Sequence, residues 1–414
     1  NIILHEDRCA LSSLSSNVQD ALRSENLILA DQVQLDFCGV IIRNRTVDIF
    51  LPRNSDTTIL NDHRKVGSLL VRAIHKYIQH RSRASKSDGN NENIIGNSFI
   101  GIAFSLLSDY VENGLFIKKT EKITRNSGKT CWKRTIGRMQ SYPSSGSPMY
   151  LDTYGRNKNR LYNEEVTRIH AKVVRELDRL LGWIYFDDEP GIQLELANIQ
   201  LPISNEREQI KILETELGIL YSDREMRLMK NLINYLSDQS TKNDDNFIIG
   251  IDKFHAIWEH MVDSCMTWKF DINHLLAKPS YKINGKFQIA TQKGGRTDTV
   301  LRNYSTDIFA VIDAKYYGAN NLTNLPGWPD LIKQFFYALA LRDIFPTATV
   351  HNYFIFPGSF NGVESAHLQD PNTAELQDNI YAPITCIYID PIILIECYIT
   401  GKKLKHISEQ LLHI

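Results

Sequence analysis

Residues 298–317 read Asp298-Thr299-Val300-Leu301-Arg302-Asn303-Tyr304-Ser305-Thr306-Asp307-Ile308-Phe309-Ala310-Val311-Ile312-Asp313-Ala314-Lys315-Tyr316-Tyr317. This stretch predicts a short strand over 298–302, a turn over 303–307 rich in hairpin-closing residues, and a buried strand over 308–315. Folding the hairpin about its turn sets Asp298 roughly opposite Asp313, and directly paired residues of an antiparallel ladder lie about 5 Å apart. Asp313 and Lys315 share a face, because side chains along a strand alternate with period two. Two carboxylates and an ammonium are therefore expected to converge. Asp307 competes as the first carboxylate, but six residues of extended chain place it roughly 20 Å from Asp313. It reads as a turn residue.

Convergent carboxylates repel one another and attract a hard cation. Mg²⁺ takes oxygen ligands, and one or two carboxylates with a substrate phosphate make a typical site. A lysine beside such a site can position or deprotonate a water, or offset charge on phosphorus. The plain alternative is a salt-bridged hairpin without chemistry. The apolar approach Ile308-Phe309-Ala310-Val311-Ile312 favours the functional reading. It delivers charged groups at the end of a buried strand, where an unpaired charge is costly.

These residues resemble the PD-(D/E)xK nuclease superfamily, with an Asp opening one strand and Asp/Glu-x-Lys ending the next. Asp298, Asp313 and Lys315 match that pattern; Thr297 departs from it, where proline is usual. The resemblance implies Mg²⁺ held by Asp298 and Asp313, with the Ala314 carbonyl as a further ligand and Lys315 at the attacking water. It also implies a glutamate from a preceding helix. Phe254, Ile257, Trp258, Met261, Val262 and Cys265 recur at helical spacing, and Glu259 beside that stripe is the candidate, against a solvated helix-face glutamate. His255 and His260 read as surface histidines. A further helix over 331–342 has apolar Leu331, Ile332, Phe335, Phe336, Leu339 and Leu341, with Gln334 and Tyr337 on a polar edge. Some superfamily members carry a Gln/Tyr pair near the phosphate; here Gln334 is weighed equally against packing, and Tyr337 reads as packing. Arg296 is a candidate phosphate contact, or a surface residue. A strand over 351–356 completes the order helix, hairpin, helix, strand, which suits a mixed sheet flanked by helices.

With 414 residues, two or three domains are expected. A net charge of −1 sets the chain apart from strongly basic DNA-binding proteins, so affinity for nucleic acid must come from a local patch or a partner. Six scattered cysteines without Cys-x-x-Cys fit reduced thiols, and no apolar run is long enough for a membrane span. The first residues lack a signal-peptide pattern. A cytoplasmic location follows as an expectation.

An N-terminal β-rich region (1–64) contains a hairpin, Val33–Ile42 and Val47–Leu51, and is a possible docking part. A mainly helical middle (65–245) follows, with helices over 66–80, 99–110, 162–183 and 206–236. It includes polar linkers at 81–93 and 237–246. His170 reads as a hydrogen-bonded core histidine. Gly114 is placed to end its helix. Strands over 115–120 and 130–136 would make a winged-helix-like ribbon. Lys118, Lys119, Lys122, Arg125, Lys129, Lys133, Arg134 and Arg138 stand there against Glu121 alone, an electrostatic footprint for DNA phosphate or a face neutralised by acids elsewhere. Ser127-Gly128-Lys129-Thr130 mimics a nucleotide loop, but Ile123 stands where its glycine is needed. The nuclease core occupies 246–414. The fold class expected is α+β and multidomain.

Phe37-Cys38-Gly39-Val40-Ile41, Asp109–Leu115, Gly128–Ile136, Ile257-Trp258-Glu259 and the Asp298…Asp313-Ala314-Lys315 core together resemble the nuclease subunit of McrBC-type restriction systems, in the LlaJI-like branch. That resemblance implies a type II or IV-like restriction endonuclease in antiviral defence. It would cut double-stranded DNA with Mg²⁺, working with an AAA+ GTPase or ATPase subunit, and two copies would serve double-strand cutting. The rivals are a winged-helix DNA-binding regulator and an adaptor that stimulates an NTPase, each with a silent nuclease fold.

Overall fold

A computed structural model describes residues 2–29, 31–43, 46–59, 62–83, 94–143, 146–161, 164–185, 196–241, 246–290, 295–359 and 362–414. Backbone contacts divide the chain into two units, 1–97 with 245–414, and 98–244. The helix His63–Arg83 lies inside the first unit, and the strand Asn246–Ile251 pairs antiparallel with Cys38–Arg43. The N-terminal region and the C-terminal part of the chain thus share one sheet.

That sheet runs Ile2–Glu6, Thr46–Leu51, Cys38–Arg43, Asn246–Ile251 and Ile94–Ile95, with only the first pair parallel. Gly39 faces Gly250 across the ladder. A Cβ on Gly250 would sit 2.3 Å from the Phe37 ring, and one on Gly39 2.2 Å from the Ile249 carbonyl. The pair leaves the space that the fully buried Phe37 ring fills. The alternation at Val33, Leu35 and Phe37 predicts an earlier strand start than the structure shows. Leu35 and Phe37 are instead core residues packed against the helix Ser16–Ser24.

The second sheet of this unit carries the site. Its order is Thr299–Asn303, Ile308–Ala314, Thr349–Pro357, Ile384–Ile389 and Ser365–Ala366. The first pair is the predicted hairpin, in register Thr299↔Ile312 to Asn303↔Ile308. Ile308–Ala314, Thr349–Pro357 and Ile384–Ile389 run parallel, Ser365–Ala366 pairs antiparallel with the last of them, and the helix Trp328–Ile344 connects Ile308–Ala314 to Thr349–Pro357. Phe309, Val311, Tyr337, Ala338 and Leu341 pack in one core on that helix's side. The helix His255–Cys265 buries Ile257, Trp258, Met261, Val262 and Cys265. This matches the sequence stripe.

The unit 98–244 combines helices Asn97–Asn113, Glu165–Tyr185, Glu206–Leu217 and Asp223–Thr241 with a small sheet of Lys118–Arg125, Tyr154–Leu161 and Lys129–Thr130. His170 is fully buried, accepts a hydrogen bond at Nδ1 from the Phe116 amide at 3.0 Å, and its pKa is lowered to about 4 by burial. Gly114 ends its helix at φ 71. The winged-helix-like ribbon is corrected: 132–138 is a helix, capped by Arg134 N–H to Cys131 O, and the partner strand is Tyr154–Leu161. The 84–93 and 242–245 parts of the two expected linkers lie outside the described residues.

Candidate active site

The hairpin register 299↔312, continued one step, sets Asp298 against Asp313. Asp313 sits near the C-terminal end of a parallel strand, the end where open α/β sheets present ligand sites. It is 2 % exposed. The two carboxyls are close enough for each to perturb the other's titration. When both are ionised, Asp298 Oδ2 and Asp313 Oδ1 are buried oxygens with no hydrogen-bond donor. Burial raises the Asp298 pKa, and the Asp313 carboxylate raises it further. Burial would raise Asp313 too, but the Asp298 hydrogen bond and the Lys315 and Lys333 charges outweigh it and hold Asp313 low. Burial and the facing carboxylate therefore favour a proton on Asp298 over a second negative charge at the pair.

Lys315 follows two residues later on the same face. Its Nζ lies 2.9 Å from Asp313 Oδ2 and 2.8 Å from Asp330 Oδ1. Burial disfavours its charge, yet Asp313 and Asp330 raise its pKa above the ordinary lysine value. Lys333 stands one helical turn beyond Asp330, its Nζ 3.6 Å from Asp298 Oδ1 and 3.8 Å from Asp313 Oδ1. The Tyr317 hydroxyl donates to Asp330 Oδ2 at 3.3 Å. Sequence reasoning missed Asp330 and Lys333. The available signal was the Asp330-x-x-Lys333 spacing in the first turns of a helix that follows the hairpin, where both residues share a face.

Glu259 is close enough to raise the Asp298 pKa. Among the described residues no group of three or more His, Cys, Asp or Glu side chains forms a metal-ligand cluster, and Glu259 flanks the pair. Ala314 is buried between Asp313 and Lys315, and the Lys315 amide donates to Ile355 O at 2.9 Å. Gln334 is 1 % exposed and donates to Val311 O at 2.8 Å and Tyr353 O at 3.4 Å. Its amide is spent on two sheet carbonyls, so the phosphate contact weighed for it gives way to packing. Tyr337 is buried and donates to Arg296 O at 2.7 Å. The polar edge assigned to these two residues is corrected: they lie on the inward stripe, while Ile332, Phe336 and Leu339 are exposed. Asp307 is at the turn, φ 51, paired with Arg302 at 2.9 Å. His260 is not a surface residue but half-buried, stacked near His80 at 4.4 Å, with a pKa lowered to about 4 by burial.

The N-terminal sheet braces the residue after Lys315. Tyr316 accepts the Arg53 amide hydrogen at 2.9 Å, and its ring lies under the Arg53 guanidinium at 5.3 Å. Asn54 donates to Gly318 O at 3.3 Å and Pro357 O at 3.1 Å. Asp7 faces the same cluster, its pKa raised to about 6 by burial and by Asp36.

Of the basic residues in the second unit, Lys118 pairs with Glu216 at 2.6 Å and Arg125 with Asp152 at 2.8 Å. Arg134 lies over the Tyr154 ring at 5.2 Å. Lys122, Lys129, Lys133 and Arg138 are exposed. The Lys119 side chain lies outside the described residues.

A family model described as LlaJI restriction endonuclease matches residues 37–390. A protein of Bacillus subtilis (strain 168) called type II restriction enzyme BsuMI component YdjA is 24 % identical over 409 residues, covering 92 % of this chain and 84 % of that one. Two solved assemblies from Thermococcus gammatolerans contain chains of related shape at 12 % identity. One is the half-complex of McrB AAA+ hexamers with bound McrC (97 % of this chain, 99 % of that chain, TM-score 0.42). The other is the McrBC complex (63 % and 85 %, TM-score 0.29).

Proposed function

The chain belongs to the LlaJI restriction endonuclease family, and from that premise we propose that it hydrolyses DNA phosphodiester bonds with Mg²⁺ at Asp298, Asp313 and Lys315, as the cleavage subunit beside a separate AAA+ NTPase. The observation that supports this reading is the facing pair Asp298 and Asp313, with buried oxygens that no donor satisfies once both are ionised. Such a pair fits a hard cation, which replaces the proton on Asp298. Asp298 and Asp313 would hold it, with the Ala314 carbonyl and Glu259 as further donors. When bound, Mg²⁺ supplies polarisation of the phosphoryl oxygen and acidifies water.

The side chains do the rest. Asp313 and Asp330 keep Lys315 protonated, so its part is to hold a water and offset charge on phosphorus rather than to take a proton. Lys333, partly exposed beside both carboxylates, offers a second cation to the same phosphate. Gln334 ties two strand carbonyls beneath the site and keeps the strand carrying Asp313 in place. Exposed Lys122, Lys129, Lys133 and Arg138 offer a further phosphate contact. The partner subunit is proposed because the Bacillus relative is described as one component of its enzyme.

The test is incubation of the chain with plasmid and Mg²⁺, with and without the product of the neighbouring open reading frame. Wild-type protein cuts. Asp313→Asn and Lys315→Ala remain folded and do not. Undiminished cutting by either variant sinks the assignment.

A further inference from the structure

One element of the first unit has no role in the chemistry above. From Asn273 to Thr297 the chain carries Lys278, Lys282, Lys286, Lys293 and Arg296, and no acidic residue. Within it, Ser280–Ile283 and Lys286–Ile289 pair antiparallel as a two-stranded ribbon. Its turn is Asn284-Gly285, both at positive φ (51 and 79), as a two-residue hairpin loop requires. Every residue of both strands is exposed. Tyr281 is 52 % exposed, Ile283 48 %, Phe287 74 % and Ile289 66 %. The alternation puts Tyr281 and Ile283 on one face and Lys282, Phe287 and Ile289 on the other.

A lone two-stranded hairpin with apolar side chains in water on both faces gains little from folding by itself. Apolar groups held out on such an element mark a partner. The lysines say which kind. Lys282 and Lys286, on a ribbon with no acidic residue of its own, suit a polyanion, and Tyr, Phe and Ile suit base edges and thymine methyls. A two-stranded ribbon also fits the major groove, about 12 Å wide.

The excursion that carries the ribbon begins and ends beside the site. Ala290 N–H donates to Pro279 O at 2.9 Å and closes its base. The Asn273 side chain accepts from the Thr297 amide at 2.8 Å and hydroxyl at 3.1 Å, which joins the two ends of the excursion next to Asp298. Ile272 and Leu276 pack with Val300 and Val311 in the core under the hairpin.

We propose that the Ser280–Ile289 ribbon enters a groove of the DNA and reads base edges next to the cut. Lys282 and Lys286 hold phosphates, and Tyr281 and Phe287 contact bases. The inference rests on the reading of the site as a DNA-cleaving centre. The test measures binding, on full-length protein made inert by Asp313→Asn. The probe is a pool of 40-bp duplexes with randomised centres.

In that background Lys282→Ala/Lys286→Ala lowers affinity for all duplexes about ten-fold at low salt and flattens the log–log salt slope by about two. Tyr281→Ala/Phe287→Ala keeps the slope and flattens the base preference of the selected pool. Melting temperatures, measured alongside, stay near the parent's because these side chains are exposed. If the parent binds and both double variants keep its slope and preference, the ribbon assignment falls, as it does if the variants lose only association with a protein partner. A parent that binds no duplex overturns the cleavage reading itself, and the ribbon with it.

Discussion

Asp298 and Asp313 face each other one step beyond the last paired residues of the core hairpin, and burial with the facing carboxylate favours a proton on Asp298. That proton is the handle on the site. The Asp298 pKa is raised on folding by burial and by Asp313, from 3.8 in the free side chain. Above pH 4 the unfolded chain loses this proton while the folded chain retains it, so stability declines as pH rises toward the raised value. Asp298→Asn removes the dependence. Thermal melts of the metal-free protein from pH 4 to 8 will show the wild type falling relative to the variant, by a few °C, on the order of 1 kcal/mol per pKa unit. Parallel curves would count against a proton on Asp298.

A divalent cation competes with that proton. Mg²⁺ is expected to raise the melting temperature of the wild type and leave Asp298→Asn and Asp313→Asn unmoved. Calorimetry in buffers of different ionisation enthalpy will report proton release on binding, with tighter binding as pH rises. Equal apparent enthalpies in all buffers would contradict the coupling.

Lys333 and Asp330 enter from the helix. Lys333→Ala is expected to slow cleavage about a hundred- to a thousand-fold, as loss of one charge-stabilising donor does elsewhere. Asp330→Asn loosens Lys315 and gives an intermediate loss. Its pH–rate profile shifts, since Asp330 helps keep Lys315 charged. Single-turnover rates at saturating DNA decide this. A Lys333→Ala enzyme with wild-type rates would remove that residue from the site.

The nuclease core is not expected to fold alone. Asn246–Ile251 needs Cys38–Arg43 beside it, and Tyr316 needs the Arg53 amide. A fragment starting at residue 245 will lack a cooperative melt, and coexpression with residues 1–97 will restore it. A cooperative transition for the fragment by itself would refute the shared sheet.

Gln334→Leu removes the buried side-chain bonds to the Val311 and Tyr353 carbonyls and is expected to cost about 1 kcal/mol of stability. Denaturation midpoints will show the loss. A stable variant with weakened DNA binding would instead return Gln334 to the phosphate.

The hairpin was legible because period-two alternation and turn chemistry are local, and together they placed Asp298, Asp313 and Lys315 within one register. The helix facing the hairpin was read inside out. Its sequence has more apolar residues than one face can bury, and Gln334 turns inward to donate to the Val311 and Tyr353 carbonyls of the sheet. The strand over 130–136 failed for a related reason. Thr135 bonds back to Cys131 O and turns the segment helical, while its oxygen accepts from the Tyr154 amide. The pairing of 38–43 with 246–251 joins residues about two hundred positions apart, and no local pattern announces such a contact. Lys333 was hidden for the same reason, since only the packing of helix on sheet brings it to the carboxylates.

The most direct measurement is anomalous diffraction from crystals soaked in Mn²⁺ as a stand-in for Mg²⁺. The account predicts a peak between Asp298 and Asp313, about 2.1 Å from an oxygen of each. A Mn²⁺ peak elsewhere, with Asp298 still protonated, would contradict it.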